Sequence, residues 1–209
     1  MTQLYLIRHG ENVDGKTDAD GPIVDLGLTD LGRRQVERLC ERLHDDPGQK
    51  SSALLSSPER RAAESADEIS KALHLTVETD DRLSEWRSDD GTLSADEFMT
   101  QWRALREQDK ANYRIQPKAE TQAEFFARVG DCLSGIVKRY EGKTVIVITH
   151  GGFIQASYRH FFGFGDAAFR RAYAACNHTG ITMWREEKAT GRWILEYSND
   201  SRHLDVLRL

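Results

Sequence analysis

Two short apolar runs in this chain each end in a histidine that is followed by glycine. The run LYLI at residues 4–7 leads into Arg8-His9-Gly10, and the run VIVI at residues 145–148 leads into THGG. Short continuous runs of strand-forming apolar residues are typical of strands buried on both faces of a parallel sheet. The two runs therefore predict two buried strands that end in similar chemistry.

Between the apolar runs the pattern favours helices. Thr29 is expected to cap a helix over about residues 30–44, and Ser57 with Pro58 is expected to open a second one. Capping-box patterns at SADE (94–97) and TQAE (121–124) open two more, and a further helix is expected near 153–162. Further strands are predicted at 53–56, 75–79, 179–186 and 192–198, with loops at 10–27 and 81–93.

This alternation of strands and helices predicts an α/β fold, with a mostly parallel sheet covered by helices on both faces. We expect a single domain over residues 1–209, in which residues 86–118 form a small helical cap-like insertion.

The charge balance and the cysteines exclude several classes of protein. Lys and Arg number 29 against 34 Asp and Glu, a net charge of −5, so no basic footprint for nucleic acid is expected. Three isolated cysteines predict neither a disulfide framework nor a thiolate zinc site. No apolar stretch reaches the ~18 residues of a membrane span, and we expect a soluble cytoplasmic protein. The acidic stretch 14–25 carries DADG at 18–21, which does not fit a calcium loop.

The ends of the predicted strands carry the candidate functional residues. In open α/β sheets, ligands bind at the carboxyl ends of the strands, where His9, His150 and Arg8 are expected to meet. Arg61 opens a predicted helix and is expected to point inward, whereas its neighbour Arg60 is expected to point to solvent. Arginines and histidines in one crevice favour a dianion such as phosphate and argue against a metal ion.

The ordered set of motifs resembles the histidine phosphatase superfamily, in its phosphoglycerate mutase-like branch. The motifs are LIRHGE (6–11), LTDLGRRQ (28–35), SSPERRA (56–62), RLSE (82–85), THGG (149–152) and NDSRHL (199–204), and they cover almost the whole chain.

The resemblance implies a role for each matching residue. His9 corresponds to the nucleophile that becomes phosphohistidine, and Glu85 corresponds to the proton donor. Arg8, Arg61 and His150 correspond to the phosphate pocket. Asn12 lies near the position of a further phosphate contact, and Gly151 is counted with the substrate-binding residues because glycine lets a ligand approach the backbone. No cofactor is implied.

The function indicated is hydrolysis of a small phosphate monoester from a phosphorylated metabolite. Two alternatives stay open: a cofactor-dependent phosphomutase of the phosphoglycerate mutase type, and a protein that binds phosphorylated ligands without catalysis. A mutase must bind a second phosphate, for which the basic residues of the insertion are candidates. They are Arg103, Arg106, Lys110, Arg114 and Lys118. The segment WRSDDG at 86–91 departs from the family pattern, so the sequence does not indicate which ester is the substrate, nor the oligomeric state.

Aromatic residues of the insertion allow two interpretations. They can form a lid over an apolar part of the substrate, or they can pack as ordinary core, which the helical spacing favours for two of them. The residues are Trp86, Phe98, Trp102 and Tyr113, and the helically spaced pair is Phe98 and Trp102.

Overall fold

Strands and helices alternate along the chain in the computed structural model, which describes residues 1–16, 22–45, 51–88, 91–165 and 172–207. The strands are β1 (Gln3–Arg8), β2 (Asn12–Lys16), β3 (Ile23–Leu28), β4 (Ser51–Ser56), β5 (Val77–Thr79), β6 (Thr144–Thr149), β7 (Ile181–Glu187) and β8 (Arg192–Asp200). The helices are α1 (Asp30–His44), α2 (Arg60–Leu73), α3 (Ala95–Ala104), α4 (Glu107–Lys110), α5 (Gln122–Arg139) and α6 (Gly151–Phe162). Short 3-10 helices lie at Asp81–Leu83 and Arg202–Leu207.

Six strands form one sheet in the order β5-β4-β6-β1-β7-β8. The pairs β5–β4, β4–β6 and β6–β1 are parallel, whereas β1–β7 and β7–β8 are antiparallel. The predicted α/β class with a mostly parallel sheet is therefore confirmed. In the register of β1 with β6, Arg8 lies opposite Thr149, so the next residue of each strand end, His9 and His150, leaves the sheet side by side.

The sheet separates two apolar clusters because successive strand residues point to opposite faces. In β1, Leu4 and Leu6 face a cluster with α5 and α6, whereas Tyr5 and Ile7 face a cluster with α1 and α2. The run at 145–148 divides its residues in the same way. Both faces of the two central strands are thus buried, which explains their continuous apolar sequence.

Three of the predicted helices begin where their caps predict. Thr29 accepts a hydrogen bond from the backbone of Gly32, and complete capping boxes form at Ser94 and Thr121. The expected start of α2 at Ser57 and Pro58 is wrong, since the helix begins at Arg60. The reason is that the backbone N–H of Ser57 still bonds to the carbonyl of Ile148 in β6, so this residue continues the sheet.

The predicted loop at residues 10–27 is also wrong in part. β2 and β3 form an antiparallel hairpin that lies outside the main sheet. Its strands are short and half-exposed and contain Gly15 and Gly27, so they lack a clear alternation of apolar and polar residues. The rejected calcium loop at 18–21 lies outside the described residues.

The helices α3 and α4 lie within the predicted insertion at 86–118, of which residues 89 and 90 are outside the described part of the chain. Phe98 and Trp102 of α3 pack on Trp86, with ring centroids 5.8 and 5.2 Å from the indole. Within the described ranges, no helix is long and apolar enough to cross a bilayer.

Candidate active site

Two histidines meet at the carboxyl end of the parallel strands. The ring centroids of His9 and His150 are 5.1 Å apart, and both residues are buried. A third histidine that the sequence analysis did not single out, His178, lies 5.6 Å from His9. The parallel register of β1 and β6 brings the first two together, as the sequence predicts.

The ring of His9 is held in one orientation by its own neighbour. Nδ1 lies 2.7 Å from the carbonyl oxygen of Gly10, which can only accept, so Nδ1 carries the proton. Burial, together with the positive charges of Arg61 and Arg8, lowers the pKa of His9 to about 3. The neutral ring therefore carries its lone pair on Nε2.

His150 is neutral as well but carries its proton on the other nitrogen. Its Nδ1 accepts from the guanidinium of Arg61 at 3.2 Å, and its Nε2 donates to Oγ of Ser57 at 2.8 Å. Burial holds the pKa of His150 well below its usual range, and Arg61 adds to the effect. An anion between the two rings would accept a hydrogen bond from His150 when Nδ1 carries a proton, in the other neutral tautomer or in the imidazolium.

Arg61 lies between the two histidines. Its Nε donates to Nε2 of His9 at 3.1 Å, and its terminal nitrogens reach His150, Asp25 and Glu59. Asp25 of β3 also accepts from the backbone N–H of Arg61 at 2.8 Å. Two carboxylates thus orient this guanidinium.

The expected division between the two neighbouring arginines is observed. The side chain of Arg61 is 15% exposed, whereas that of Arg60 is 59% exposed and pairs with Glu64. Burial raises the pKa of Glu59, although Arg61 beside it acts in the opposite direction. The carboxylates of Asp25 and Glu59 therefore contact Arg61 and are largely shielded from solvent.

The guanidinium of Arg8 has a hydrogen-bond partner at one terminal nitrogen but none among the described residues at Nε. A terminal nitrogen of its guanidinium donates to the carbonyl of Cys176 at 2.6 Å. Its Nε is buried and has no hydrogen-bond partner among the described residues. A Cβ added to Gly151 would lie 3.8 Å from this Nε, so the glycine leaves space beside the guanidinium. A buried donor without a partner is costly, and an anion in this space would satisfy it.

The side chain of Glu85 lies beside the first turn of α6, and its carboxylate accepts two backbone hydrogen bonds. The donors are Gly152 at 2.9 Å and Trp86 at 2.9 Å. A Cβ on Gly152 would meet Oε1 of Glu85 at 2.3 Å, so any larger residue at this position would displace the carboxylate. The helix N-terminus attracts the negative charge and fixes the carboxylate beside the site.

Asn12 is not brought into this cluster. It lies at the start of β2, and its amide donates to Asp14 at 3.0 Å on an exposed part of the hairpin. Among the described residues, no hydrogen bond joins it to His9 or to Arg61. Its expected contact with phosphate stays a prediction.

Sequence reasoning missed four residues of this cluster: Ser57, Asp25, Glu59 and His178. Ser57 and Glu59 belong to the motif SSPERRA, which predicts a helix start at Ser57 but no contact of either residue with the histidines. Asp25 comes from a hairpin that the sequence pattern did not reveal, and no sequence signal links it to Arg61. His178 follows Asn177 just before β7 and has no distinguishing motif of its own.

Two cavities adjoin Glu85 and share the side chains of Trp86, Ser88 and Phe98. One, of about 690 Å³, is also lined by Arg61, Glu59 and Asp25. The other, of about 410 Å³, lies towards Gly152 and is lined by Phe125 and Phe126. Cavities of this size accommodate small-molecule ligands. The arrangement joins an anion-binding cluster to space for the remainder of a small molecule.

Comparison with known proteins identifies one family over most of the chain. A model of the histidine phosphatase superfamily (branch 1) matches residues 4–200. A probable phosphoglycerate mutase, GpmB, of Yersinia pestis is 26% identical over 214 residues, covering 99% of this chain and 96% of the relative.

Two solved structures share the fold over nearly the whole chain. YhfR of Bacillus stearothermophilus superimposes with a TM-score of 0.76 at 24% identity, covering 98% of this chain and all of that one. A phosphoserine phosphatase of Entamoeba histolytica, solved with phosphoserine, gives a TM-score of 0.73 at 22% identity with the same coverage. At these identities the likeness shows the fold alone.

Proposed function

The chain belongs to the histidine phosphatase superfamily (branch 1), and from this premise we propose that it hydrolyses small phosphate monoesters through a phosphohistidine at His9. One observation carries the proposal. The neutral ring of His9 holds its lone pair on Nε2, next to the guanidinium of Arg61, and Nε of the adjacent residue Arg8 has no hydrogen-bond partner within the described part of the chain. A nucleophile beside two phosphate-binding donors is what phosphoryl transfer requires.

In the first step, Nε2 of His9 forms a bond to phosphorus while the bond from phosphorus to the ester oxygen breaks. The Nε–H of Arg61, which donates to Nε2 of His9, turns to donate to a phosphoryl oxygen instead, and the Nε–H of Arg8 donates to another. When Arg61 turns away from His150, this ring takes the tautomer with its proton on Nδ1, donates from Nδ1 to a third oxygen and accepts from Ser57 at Nε2, while Gly151 leaves room for the group. These fixed donors stabilise the charge that develops on the transferring oxygens.

Glu85 is the proton donor of the proposal. Its carboxyl group protonates the departing alkoxide and then, as a carboxylate, takes a proton from the attacking water. That water forms the new bond to phosphorus as the bond to Nε2 breaks, which releases phosphate and restores His9. The backbone bonds from Gly152 and Trp86 hold the carboxylate in one place for both transfers.

The five basic residues of the insertion that are candidates for a second phosphate favour the phosphatase over the mutase, whereas Arg87 of the same segment lines the larger cavity and pairs with Asp81. Arg106 pairs with Asp109, Lys110 with Glu107, and Arg114 with Glu124. Of the five candidates for a second phosphate, none is among the described residues that line the two cavities beside Glu85. We therefore assign the chain to hydrolysis rather than to transfer between two phosphate positions.

We place this activity in the cytoplasm and expect it to need no cofactor. The three cysteines, Cys40, Cys132 and Cys176, are all free thiols, as suits a reducing compartment.

The test is phosphate release from a panel of phosphorylated metabolites, without 2,3-bisphosphoglycerate. We expect turnover, a phosphoprotein that is labile to mild acid after rapid quenching, and loss of both in His9→Ala. Activity that depends on added bisphosphoglycerate and releases little phosphate would support the mutase instead. Absence of the acid-labile phosphoprotein, together with unchanged turnover in His9→Ala, would overturn catalysis at this residue.

A further inference from the structure

The cavity of about 410 Å³ beside Glu85 is poor in charge and rich in aromatic surface. We propose that it receives the alcohol part of the substrate, and that this part is apolar, aromatic or long-chain aliphatic, without a second anionic group. The proposal rests on the proposed function, because Glu85 is taken as the group that meets the departing oxygen. Its lining residues are Glu85, Trp86, Ser88, Phe98, Gln122, Phe125, Phe126, Gly152, Gln155 and Tyr173.

Among the described lining residues, Glu85 is the one that carries a charge, and this charge is negative in the carboxylate form. A carboxylate or second phosphate on the alcohol part would meet it without a cation to compensate. Taking an anion out of water without a partner is unfavourable, so such substrates are disfavoured. The polar groups that remain are the amides of Gln122 and Gln155 and the hydroxyls of Ser88 and Tyr173, which suit neutral groups.

Three arginines beside the lining residues have other partners, and one of them, Arg87, lines the neighbouring cavity of about 690 Å³. Arg128 forms an ion pair with Glu120 and donates to three backbone carbonyls. Arg87 pairs with Asp81 and donates to Ser84. Arg159 stacks on the ring of Phe126 at 4.7 Å. None of the three is among the described residues that line this cavity.

The aromatic wall is built from interlocking rings. Trp86 contacts Phe98 edge to face and stacks on Phe125, which in turn lies 5.8 Å from Phe126. The indole N–H of Trp86 donates to the carbonyl of Glu120 at 2.9 Å, so the ring has no unsatisfied donor. Aromatic pairs in such geometries hold one another in place, and their exposed faces favour apolar ligands.

The substrate class follows from the two ends of the site. One end, with Arg8, Arg61 and two histidines, suits a phosphate dianion. The other end suits an uncharged apolar group, unlike phosphoserine or 3-phosphoglycerate, whose alcohol parts carry a carboxylate.

The first experiment compares two synthetic esters with the full chain. The leaving groups of 4-phenylbutyl phosphate and 5-phosphonooxypentanoate are both primary alkoxides. The first ends in a phenyl ring and is called the phenyl ester below, and the second ends in a carboxylate and is called the carboxylate ester. We expect kcat/KM to be about tenfold or more higher for the phenyl ester, because burial of the ring favours binding and the carboxylate meets no cation. 4-Nitrophenyl phosphate serves as a common reference substrate.

Variants of α3 test the aromatic wall of this cavity, to which Phe98 contributes a ring that also borders the cavity of about 690 Å³. Phe98→Ala should lower kcat/KM for the phenyl ester about fivefold and change the carboxylate ester little, because it removes apolar wall only. Met99→Ala is the matched control, since Met99 is the next residue of the same helix, is 36% exposed and is not a lining residue. Phe98→Arg should raise kcat/KM for the carboxylate ester and lower it for the phenyl ester.

The outcomes separate the two proposals. If all three esters are inert and no acid-labile phosphoprotein forms, the proposed function fails. If 4-nitrophenyl phosphate is hydrolysed but the carboxylate ester is used as well as the phenyl ester or better, the assignment of the apolar cavity alone fails. Equal effects of Phe98→Ala on both esters would also refute it, because the helix would then act only on the fold.

Discussion

Gly152→Ala should disable the proton donor without touching the phosphate-binding side chains. A Cβ at this position would lie 2.3 Å from Oε1 of Glu85 and 3.0 Å from its Cδ, whereas ordinary contacts begin at 3.4 Å. The carboxyl group must therefore move by about 1 Å, and it loses its hydrogen bond from the backbone of residue 152. Misplacement of a reacting group by about 1 Å can cost about 100-fold in rate.

The size of the effect should depend on the leaving group. For an alkyl phosphate, whose alkoxide needs a proton, kcat/KM should fall about 100-fold, equivalent to about 2.7 kcal/mol of transition-state stabilisation. For 4-nitrophenyl phosphate, whose phenolate leaves without a proton, we expect a loss of about threefold or less. The ratio of the two values, measured by phosphate release, is the readout.

Gly130→Ala provides the matched control. Gly130 lies within α5, and the nearest atom to an added Cβ is a nitrogen of His160 at an ordinary 3.5 Å. Alanine in a helix is favoured over glycine by about 0.5–1 kcal/mol, so this variant should be fully active and at least as stable as the parent. An equal loss on both substrates for Gly152→Ala, with unchanged thermal unfolding, would refute the role of Glu85 as the acid.

Three further changes test other parts of the site and fold. Arg61→Ala should lower kcat/KM about 1,000-fold, since it removes a transition-state contact, whereas Arg60→Ala should change it less than about threefold; similar losses would contradict the inward orientation. The pKa of His9 is about 3 in the fold and about 6.5 unfolded, so this group alone lowers stability by about 2 kcal/mol from pH 7 to 5, in addition to the losses from His150, His178 and His203, whose pKa values are also lowered. Urea midpoints at the two pH values should show this loss, and His9→Gln should reduce it by the same amount. Thr121→Ala removes a capping box and should lower the unfolding free energy by about 1 kcal/mol and Tm by about 2–4 °C; an unchanged Tm in calorimetry would contradict the contribution of that cap.

The parts of the site that the sequence predicts are those carried by the parallel strands. His9 and His150 follow two continuous apolar runs, and parallel strands end at one edge of a sheet. Arg61 could be oriented from sequence because it directly precedes the buried Ala62. In each case a local pattern and one general rule of α/β sheets were enough.

The missing parts depend on contacts between distant segments. Asp25 reaches Arg61 because β3 packs against α2, and Ile23 of the same strand bonds to the carbonyl of Gly91. Ser57 fits an N-cap by its residue type, but its backbone pairs with β6 instead. Such competition between a local preference and a distant partner is decided by packing, so single-sequence patterns do not reveal it.

The position of β1 in the sheet has a consequence for how the chain is made. Its two neighbours are β6 and β7, and Gln3 pairs with Thr144, 141 residues later in the sequence. At about 5–20 residues per second, a ribosome needs roughly 7–28 s to complete that partner. During this time the first strand has no sheet to join, so both of its edges and both of its apolar faces need shielding. A nascent chain stopped before β6 should therefore aggregate or engage chaperones, whatever the stability of its helices.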